Sequence, residues 1–382
     1  MRAKKLLFYL LICLPALIGG LFHKIYSLTK KNKKDKYNNV IVFQLGHLGD
    51  LVLTEPLLRN LKENNNAGKV TLVVGSWNHD LAKNIPAVDE VLIFDSLLYR
   101  RRDKSSFANF LKDLFVFLSK VYAAKYDLGI DLRGHINSLY LLYLSNIKNI
   151  IGFNYVGHGI FLRHKRKLDE TLYEKDRLLS MLDLIKYKLL NSELKYNLSE
   201  EKCVKATDYL KSQGYDSKDK LIAVFPGAPY NPRRWPAESY ALLADKIIDE
   251  KIGQVIILGG IQDKPSVKKM TSCMKNRPIQ WIGNDINMLA GLIKKCNAFV
   301  GNDTGPMHLA VALDIPTIAL FGPGKYKRWA PKPPHIFIRA DVSCSPCDLN
   351  NDICTHPKVK CMDEIKVDDV KNALLSKVFK NG

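Results

Sequence analysis

The sequence is short of acidic residues, has no short internal repeat, and has no low-complexity tract outside the lysine-rich residues 30–36. Asp and Glu number 38 against 58 Lys and Arg, so the 382 residues carry a formal net charge of +20. Hydrophobic residues make up 47% and charged residues 25%, which excludes a disordered chain, a collagen-like fibre and a small disulfide scaffold. The length suits two domains of ordinary size. The positive charge favours anionic partners such as nucleic acid, phosphorylated sugars or a membrane surface.

The first 36 residues have the features of a membrane anchor followed by a basic linker. Leu6–Phe22 is a run of 17 uncharged residues. As a helix it would extend about 25 Å, against the roughly 30 Å of a bilayer's hydrocarbon core. No small-residue cleavage site follows it, which favours an uncleaved anchor over a secretory signal peptide, and a buried helix is the other alternative. Pro15, Gly19 and Gly20 leave open whether the segment spans the bilayer or lies in one leaflet.

The charges on either side of this run predict its orientation. Three basic residues precede it, whereas six lysines lie between Lys24 and Lys36. By the positive-inside rule, the bulk of the chain then lies at the cytoplasmic face of the inner (plasma) membrane. The lysine cluster would also bind anionic headgroups.

Beyond Tyr37, short β-branched runs alternate with amphipathic stretches of helical length. The predicted strands are residues 40–45, 69–74, 90–95, 126–132, 221–226, 254–260, 297–301 and 316–322. The helix candidates between them include residues 55–63, 106–123, 237–250 and 288–295. This α/β alternation occurs twice, which predicts two Rossmann-like, doubly wound domains, residues 37–200 and 201–382, facing a central cleft. In such sheets ligands bind beyond the carboxyl ends of the strands, so the strand-to-helix loops are the candidate sites.

The first such loop is Gly46-His47-Leu48-Gly49-Asp50. Its two glycines permit a tight turn and a close approach of a ligand to the backbone, with the Asp50 carboxylate at the sheet edge. Asp50 is either a catalytic carboxylate or the N-cap of the helix that follows, a role that Asp fills well.

The loop after residues 221–226 suits a diphosphate. Arg233 and Arg234 stand just before Pro236, which favours the first turn of a helix. A diphosphate there would meet guanidinium groups and the free N–H groups of a helix start. The alternative is a pair of solvated arginines.

The loop after residues 297–301 also begins a helix, for which Asp303 or Thr304 is the predicted N-cap. The N–H groups of residues 304–307 would then point at a phosphate. His308, on the first turn, would hydrogen-bond that phosphate or a sugar hydroxyl. Asp263 follows the strand at 254–260, where doubly wound folds place a carboxylate on ribose hydroxyls.

In their order and spacing, these loops resemble glycosyltransferase family 9, the ADP-heptose:lipopolysaccharide heptosyltransferases and their relatives. The family's GD loop matches Gly49-Asp50, its K-x-W-P segment matches residues 233–236, its D-[ST]-G-x-x-H signature matches residues 303–308, and its F-G-P matches residues 321–323. The agreement extends over residues 38–365. The resemblance implies a GT-B fold, with an acceptor-binding amino-terminal domain and a carboxy-terminal domain that binds the nucleotide sugar.

Carried over residue by residue, the resemblance implies a role for each site residue. Asp50 would be the general base that deprotonates the acceptor hydroxyl. Arg233 replaces the family's phosphate-binding lysine and would neutralise the leaving diphosphate. Because arginine is planar and bidentate, this departure bears on the identity of the donor. The remaining donor-binding roles fall on Thr304, Gly305 and His308 for the diphosphate, Asp303 for the donor sugar and Asp263 for the ribose.

The resemblance therefore predicts an inverting glycosyltransferase that moves a sugar, with heptose favoured, from a nucleotide diphosphate to a lipid-linked, lipopolysaccharide-type acceptor. The expected partners are the nucleotide sugar, the acceptor and a membrane surface, without nucleic acid and without a cofactor for catalysis. The basic runs 100–102 and 163–167 suit an acidic acceptor or an anionic membrane face, or are ordinary solvated loops.

Two other classes of function are open alternatives. A nucleotide-sugar-binding protein without turnover is one, although the presence of Asp50 and His308 argues against it. A basic nucleic-acid-binding protein is the other, favoured by charge but without a zinc finger, a recognition-helix pattern or an aromatic-rich basic ribbon.

Four of the eight cysteines are clustered near the carboxyl end. Cys344, Cys347, Cys354 and Cys361 form C-x2-C-x6-C-x6-C. In a reducing cytoplasm such a cluster favours structural zinc or an iron–sulfur group over disulfides. Because the x6 spacings are not those of a common finger, free thiols are a third alternative. No catalytic role is expected for these residues.

Overall fold

The computed structural model describes residues 36–65, 68–95, 107–134, 136–147, 149–154, 162–347 and 358–378, together with residues 354 and 356. The predicted membrane anchor lies outside these residues, except for Lys36, and so does the basic run 100–102. Within the described part of the chain, no helix has both the length and the apolar character required to cross a bilayer. The chain divides into two compact units, one formed by residues up to 170 and 175–193, the other by residues 171–174 and 194–382.

The first unit is built on a six-stranded parallel sheet. Its strands are β1 (Asn39–Gln44), β2 (Lys69–Val74), β3 (Glu90–Ile93), β4 (Leu128–Asp131), β5 (Ile150–Asn154) and β6 (His164–Lys167). They lie in the order β3-β2-β1-β4-β5-β6. The helices of this part of the chain are α1 (Leu48–Asn64), α2 (His79–Ala82), α3 (Phe107–Ala123), α4 (Ile136–Leu144) and α5 (Glu174–Leu179).

The central strands form because their apolar, β-branched residues are covered on both faces. All but the first residue of β1 and of β2 are buried, as expected for strands of a parallel sheet between helices. Ile41 and Phe43 of β1 pack with Phe117 and Val121 of α3. The Phe43 and Phe117 rings meet edge to face, with centroids 6.1 Å apart.

The second unit repeats the same plan. Its strands are β7 (Leu221–Phe225), β8 (Gln254–Gly259), β9 (Ile279–Ile282), β10 (Ala298–Asn302), β11 (Thr317–Leu320) and β12 (Ile336–Ile338). All pair in parallel, in the order β12-β11-β10-β7-β8-β9. The helices are α6 (Glu200–Ser212), α7 (Ala237–Asp249), α8 (Lys264–Cys273), α9 (Ile286–Lys294), α10 (Gly305–Ala312), α11 (Tyr326–Trp329), α12 (Lys360–Asp363) and α13 (Val367–Val378). Read from its other edge, the second sheet has the order β9-β8-β7-β10-β11-β12. This is the order of the first sheet with six added to each strand number, so β7 corresponds to β1 and β10 to β4.

The predicted α/β class and the two doubly wound parallel sheets are confirmed. Every predicted strand is present, with its ends within two residues of those expected. Strands β5, β6, β9 and β12 were not predicted, and three of these four lie at sheet edges. The first helix begins at Leu48 rather than at residue 55, so it starts inside the glycine-containing loop.

Candidate active site

Asp50 lies at the carboxyl end of β1, on the first turn of α1, and only 5% of it is exposed. Its Oδ2 accepts a hydrogen bond of 2.7 Å from the backbone N–H of His47. The N-cap residue of α1 is His47, so the expectation that Asp50 is itself the N-cap is wrong. Asp50 instead satisfies the N–H of the N-cap residue from within the helix, as in a capping box.

Two side chains that follow β2 hold the loop that precedes Asp50. The backbone oxygen of Gly46 accepts hydrogen bonds of 3.0 Å from Trp77 Nε1 and from Asn78 Nδ2. A Cβ atom at Gly46 would lie 2.7 Å from Asp50 Oδ2. Glycine is therefore needed at this position for the carboxylate to lie where it does.

The second partner of Asp50 is Arg133, which none of the sequence motifs includes. Arg133 Nη1 donates a hydrogen bond of 2.6 Å to Asp50 Oδ1. Arg133 follows β4, the neighbour of β1 in the sheet. The sequence could have indicated Arg133 through its position directly after β4, because the loops that follow neighbouring parallel strands lie at the same edge of the sheet.

A second carboxyl group, that of Asp131, lies at the end of β4. Burial raises its pKa to about 6, and this rise is opposed by hydrogen bonds from Ser138, Gly134 and Arg133 and by the charge of Arg133. Its Oδ2 accepts a hydrogen bond of 2.6 Å from the N–H of Gly134, a residue at φ 70°. Asp131 therefore fixes the turn that carries Arg133.

In the second unit the two arginines of the loop after β7 have different surroundings. Arg234 is fixed on its own loop, because Nε and Nη2 donate to the oxygen of Ala228 at 2.9 and 2.7 Å. Arg233 Nη1 lies 3.3 Å from Asp303 Oδ2, and Arg233 Nε has no protein partner among the described residues. Donor capacity therefore remains at Arg233 for an anionic ligand.

Asp303, Thr304, Gly305 and His308 lie together at the start of α10, and Thr304 is the N-cap residue. Burial raises the pKa of Asp303, and the Arg233 charge opposes this rise. His308 is 3% exposed, and its ring lies 6.1 Å from that of Trp329 in an edge-on arrangement.

The prediction that the N–H groups of residues 304–307 are all free is wrong. Pro306 has no N–H, and the N–H of Met307 donates to the oxygen of Thr304 at 3.2 Å. Within the part of the chain that the structure describes, the N–H groups of Thr304 and Gly305 remain to meet a ligand at this helix start.

Asn302, the last residue of β10, connects the two loops of this half. Its Nδ2 donates to the oxygens of Pro226 and Gly227, both at 3.1 Å. Its Oδ1 accepts from the Trp235 N–H at 3.1 Å and from the Tyr240 hydroxyl at 3.0 Å. This buried amide holds the arginine loop against the start of α10, a role not evident from the motif.

Asp263 lies in the short turn after β8, 4% exposed. Its Oδ2 accepts a hydrogen bond of 3.0 Å from the N–H of Gly260. A Cβ atom at Gly227 would lie 2.4 Å from its carboxyl group, so Asp263 contacts the loop after β7. Burial raises its pKa, against the Gly260 hydrogen bond and the charge of Arg234.

The four clustered cysteines, Cys344, Cys347, Cys354 and Cys361, are all free thiols. Among the residues that the structure describes, no group of three or more His, Cys, Asp or Glu is placed to hold a metal ion. Neither the predicted structural metal nor the disulfide alternative is therefore supported. Burial raises the pKa of Cys361 to about 12, with a further contribution from the other three thiols, so this thiol is an inert packing group beneath Gly322.

The chain was compared with known proteins and solved structures. Residues 115–356, well over half of the chain, match the model of glycosyltransferase family 9 (heptosyltransferase). Lipopolysaccharide heptosyltransferase 2 of Salmonella typhimurium is 26% identical over 308 residues, which cover 74% of this chain and 82% of that protein.

Solved structures have the same fold. The family 9 glycosyl transferase of Veillonella parvula superposes with a TM-score of 0.71 at 26% identity, covering 79% of this chain and 86% of that one. The E. coli ADP-heptose lps heptosyltransferase II superposes with a TM-score of 0.71 at 20% identity, covering 90% and 99% of the two chains. The α/β, GT-B-like architecture is thus shared with heptosyltransferases. The chain belongs to glycosyltransferase family 9, the heptosyltransferase family, and is a glycosyltransferase.

Proposed function

We propose that this enzyme transfers a heptose, with inversion, from ADP-heptose to a saccharide of the lipopolysaccharide or lipooligosaccharide type. Family membership supports the reaction class, and the names of the relatives support the donor and acceptor. The observation that carries the proposal is the contact of Arg233 with Asp303 at the start of α10. It brings the Arg233 cation beside the helix start that carries the N–H groups of Thr304 and Gly305, an arrangement that suits a diphosphate.

In the proposed mechanism, an acceptor hydroxyl attacks the anomeric carbon of the heptose while the bond from that carbon to the diphosphate oxygen breaks. The hydroxyl proton passes to the carboxylate of Asp50, the general base. A carboxylate offers about four lone-pair sites. The hydrogen bonds from His47 and Arg133 occupy one site on each oxygen, so capacity remains for the acceptor hydroxyl.

The departing nucleotide diphosphate takes up the negative charge of the broken bond. Arg233 and the N–H groups of Thr304 and Gly305 stabilise that charge, and preorganised groups of this kind are usually the largest single contribution to catalysis. Asp303 contacts the donor sugar, His308 the diphosphate and Asp263 the ribose. No cofactor takes part in these steps.

We also propose that residues 1–36 hold the enzyme at the cytoplasmic face of the inner membrane, close to a lipid-linked acceptor. The support is the uncharged run Leu6–Phe22 and the six lysines that follow it. Residues 37–200 would then bind the acceptor and residues 201–382 the nucleotide sugar.

A transfer assay with paired donors tests the reaction. Purified enzyme is incubated with lipooligosaccharide that lacks its outer heptose and with ADP-heptose, GDP-heptose or UDP-glucose, and the product mass is measured. We expect a gain of one heptose with ADP-heptose alone. Binding of ADP-heptose without a mass gain would indicate a nucleotide-sugar-binding protein, and the proposal would be wrong.

A further inference from the structure

Helix α3 presents apolar side chains on two faces. Its inner face is buried, because Phe117 and Val121 pack into the core of the first unit. On its outer side, four large apolar residues are 42, 74, 57 and 60% exposed: Leu111, Phe115, Val116 and Tyr122. A helix on the surface of a soluble protein normally carries polar residues on its outer side. Contiguous exposed apolar patches of this kind indicate an interaction surface.

Leu111, Phe115 and Tyr122 follow each other at helical spacing along one stripe, which extends about 16 Å. Val116 projects about 100° further round the helix, on the other side of Lys112. These four exposed residues are here termed the outer face of α3. Lys112 is three residues from Phe115 and four from Val116, so its ammonium group borders the same surface. Lys112 and Lys125 are both exposed. Asp113, three residues before Val116, is exposed as well, so the edge carries two lysines and one carboxylate and is net positive. Apolar and aromatic groups with a net positive edge fit a membrane interface with anionic headgroups.

The path of the chain brings its amino-terminal segment to the end of the same helix. Asn39 Nδ2 donates a hydrogen bond of 2.7 Å to the oxygen of Ala124, directly after α3. The N–H groups of Asn38 and Asn39 donate to Asp127 Oδ2 at 3.1 and 3.2 Å. Residues 1–36, with their 17-residue uncharged run and nine basic residues, therefore join the first unit beside the carboxyl end of α3.

We propose that the outer face of α3 lies on an anionic lipid bilayer, with Phe115 and Tyr122 at the boundary between headgroups and acyl chains. This inference rests on the proposed membrane association of residues 1–36 and adds a second contact to it. One attached segment leaves a protein free to rotate about its linker, whereas two contacts fix the direction in which the first sheet faces the bilayer. Lys112 and Lys125 would bind lipid phosphates beside the apolar groups.

Quenching by brominated lipid tests this contact in the full-length chain. One variant carries Phe115→Trp, and a matched control carries Leu242→Trp, because Leu242 is 50% exposed on α7 of the second unit. Each is mixed with phosphatidylcholine–phosphatidylglycerol vesicles whose acyl chains either carry bromine or do not. Subtracting the spectrum of the parent chain isolates the added tryptophan. We expect the tryptophan at position 115 to lose most of its emission on brominated vesicles and the one at position 242 to lose none.

Three outcomes would overturn the inference. The first is an unquenched tryptophan at position 115 in protein that sediments with the vesicles. The second is a parent chain that does not sediment with them at all. The third is a tryptophan at position 115 that is already shielded from water before lipid is added. Shielding that depends on protein concentration would mean that a second copy covers the helix. Shielding that does not depend on it would mean that residues 1–36 cover it. Transfer to a delipidated, soluble acceptor is independent of all three, so the proposed reaction is judged separately.

Discussion

Arg133 donates a hydrogen bond of 2.6 Å to Asp50 although 83 residues separate them in the sequence. The contact forms because β4 lies next to β1, so the loops that follow these strands meet at one edge of the sheet. A carboxylate fixed on one side by a backbone N–H and on the other by a guanidinium group has little freedom to turn. We infer that Arg133 positions the proposed general base.

Replacing Arg133 by Gln should lower kcat about 10- to 100-fold, because a displaced catalytic group costs rates of that order. The dissociation constant for ADP-heptose should stay unchanged, and Arg133→Lys should recover part of the rate. The control is Arg59→Gln, which removes an arginine–carboxylate pair with Glu55 on the same helix as Asp50. Equal losses of kcat in the two variants would show that the effect is structural.

Asp50→Asn should reduce transfer about 10²- to 10⁴-fold, the usual contribution of a general base. Isothermal titration with ADP-heptose should give the same affinity as the parent enzyme, since the residue does not belong to the donor-binding half. Normal turnover by this variant would remove Asp50 from the mechanism.

Arg233→Gln should weaken ADP-heptose binding about 10- to 100-fold, in line with the 1.5–3 kcal/mol typical of a hydrogen bond to a charged group. Arg233→Lys should lose less, because the charge is kept while the planar geometry is not. Lys246→Gln, which removes a surface charge paired with Asp368, is the control. Comparable weakening in the control would mean that general charge, rather than this site, binds the donor.

Two glycine substitutions should separate the proposed catalytic site from the proposed donor site. In Gly46→Ala the new methyl group would lie 2.7 Å from Asp50 Oδ2, and in Gly227→Ala it would lie 2.4 Å from the Asp263 carboxyl group. We expect the first to lower kcat with donor affinity unchanged, and the second to lower donor affinity. Steady-state kinetics combined with donor titration measures both, and the reverse pattern would contradict the assigned roles.

Asp131 should make the first unit less stable as the pH rises through the weakly acidic range. Its pKa is about 6 in the folded protein, against the ordinary 3.8. Between these values the folded state holds the proton that the unfolded state has lost. Its contribution to the free energy of unfolding therefore falls as pH rises across this window, by about 3 kcal/mol in total.

The test compares the parent chain with Asp131→Asn by hydrogen exchange in peptides of the first unit. Relative to the variant, the parent should lose about 3 kcal/mol of protection between about pH 4 and pH 7. A difference that does not change with pH would contradict the raised pKa.

The sequence was sufficient to predict what depends on local pattern. The central strands are buried on both faces and therefore consist of short runs of apolar, β-branched residues. Such runs were enough to locate β1, β2, β7 and β8 in the sequence. The edge strand β6, His164–Lys167, has only basic residues and exists because it pairs with β5, which no local pattern reveals. The Asp50–Arg133 contact and the Asn302 hydrogen bonds likewise depend on which strands are neighbours.

The common strand order of the two sheets has a chemical consequence. In each unit the loops after the first and fourth strands are joined by one acid–base pair, Asp50 with Arg133 and Arg233 with Asp303. The order of charge is reversed, so that the first loop supplies the anion in one unit and the cation in the other. One strand order thereby carries two opposite arrangements of charge, which match the proton acceptor proposed for the first unit and the anion-binding group proposed for the second.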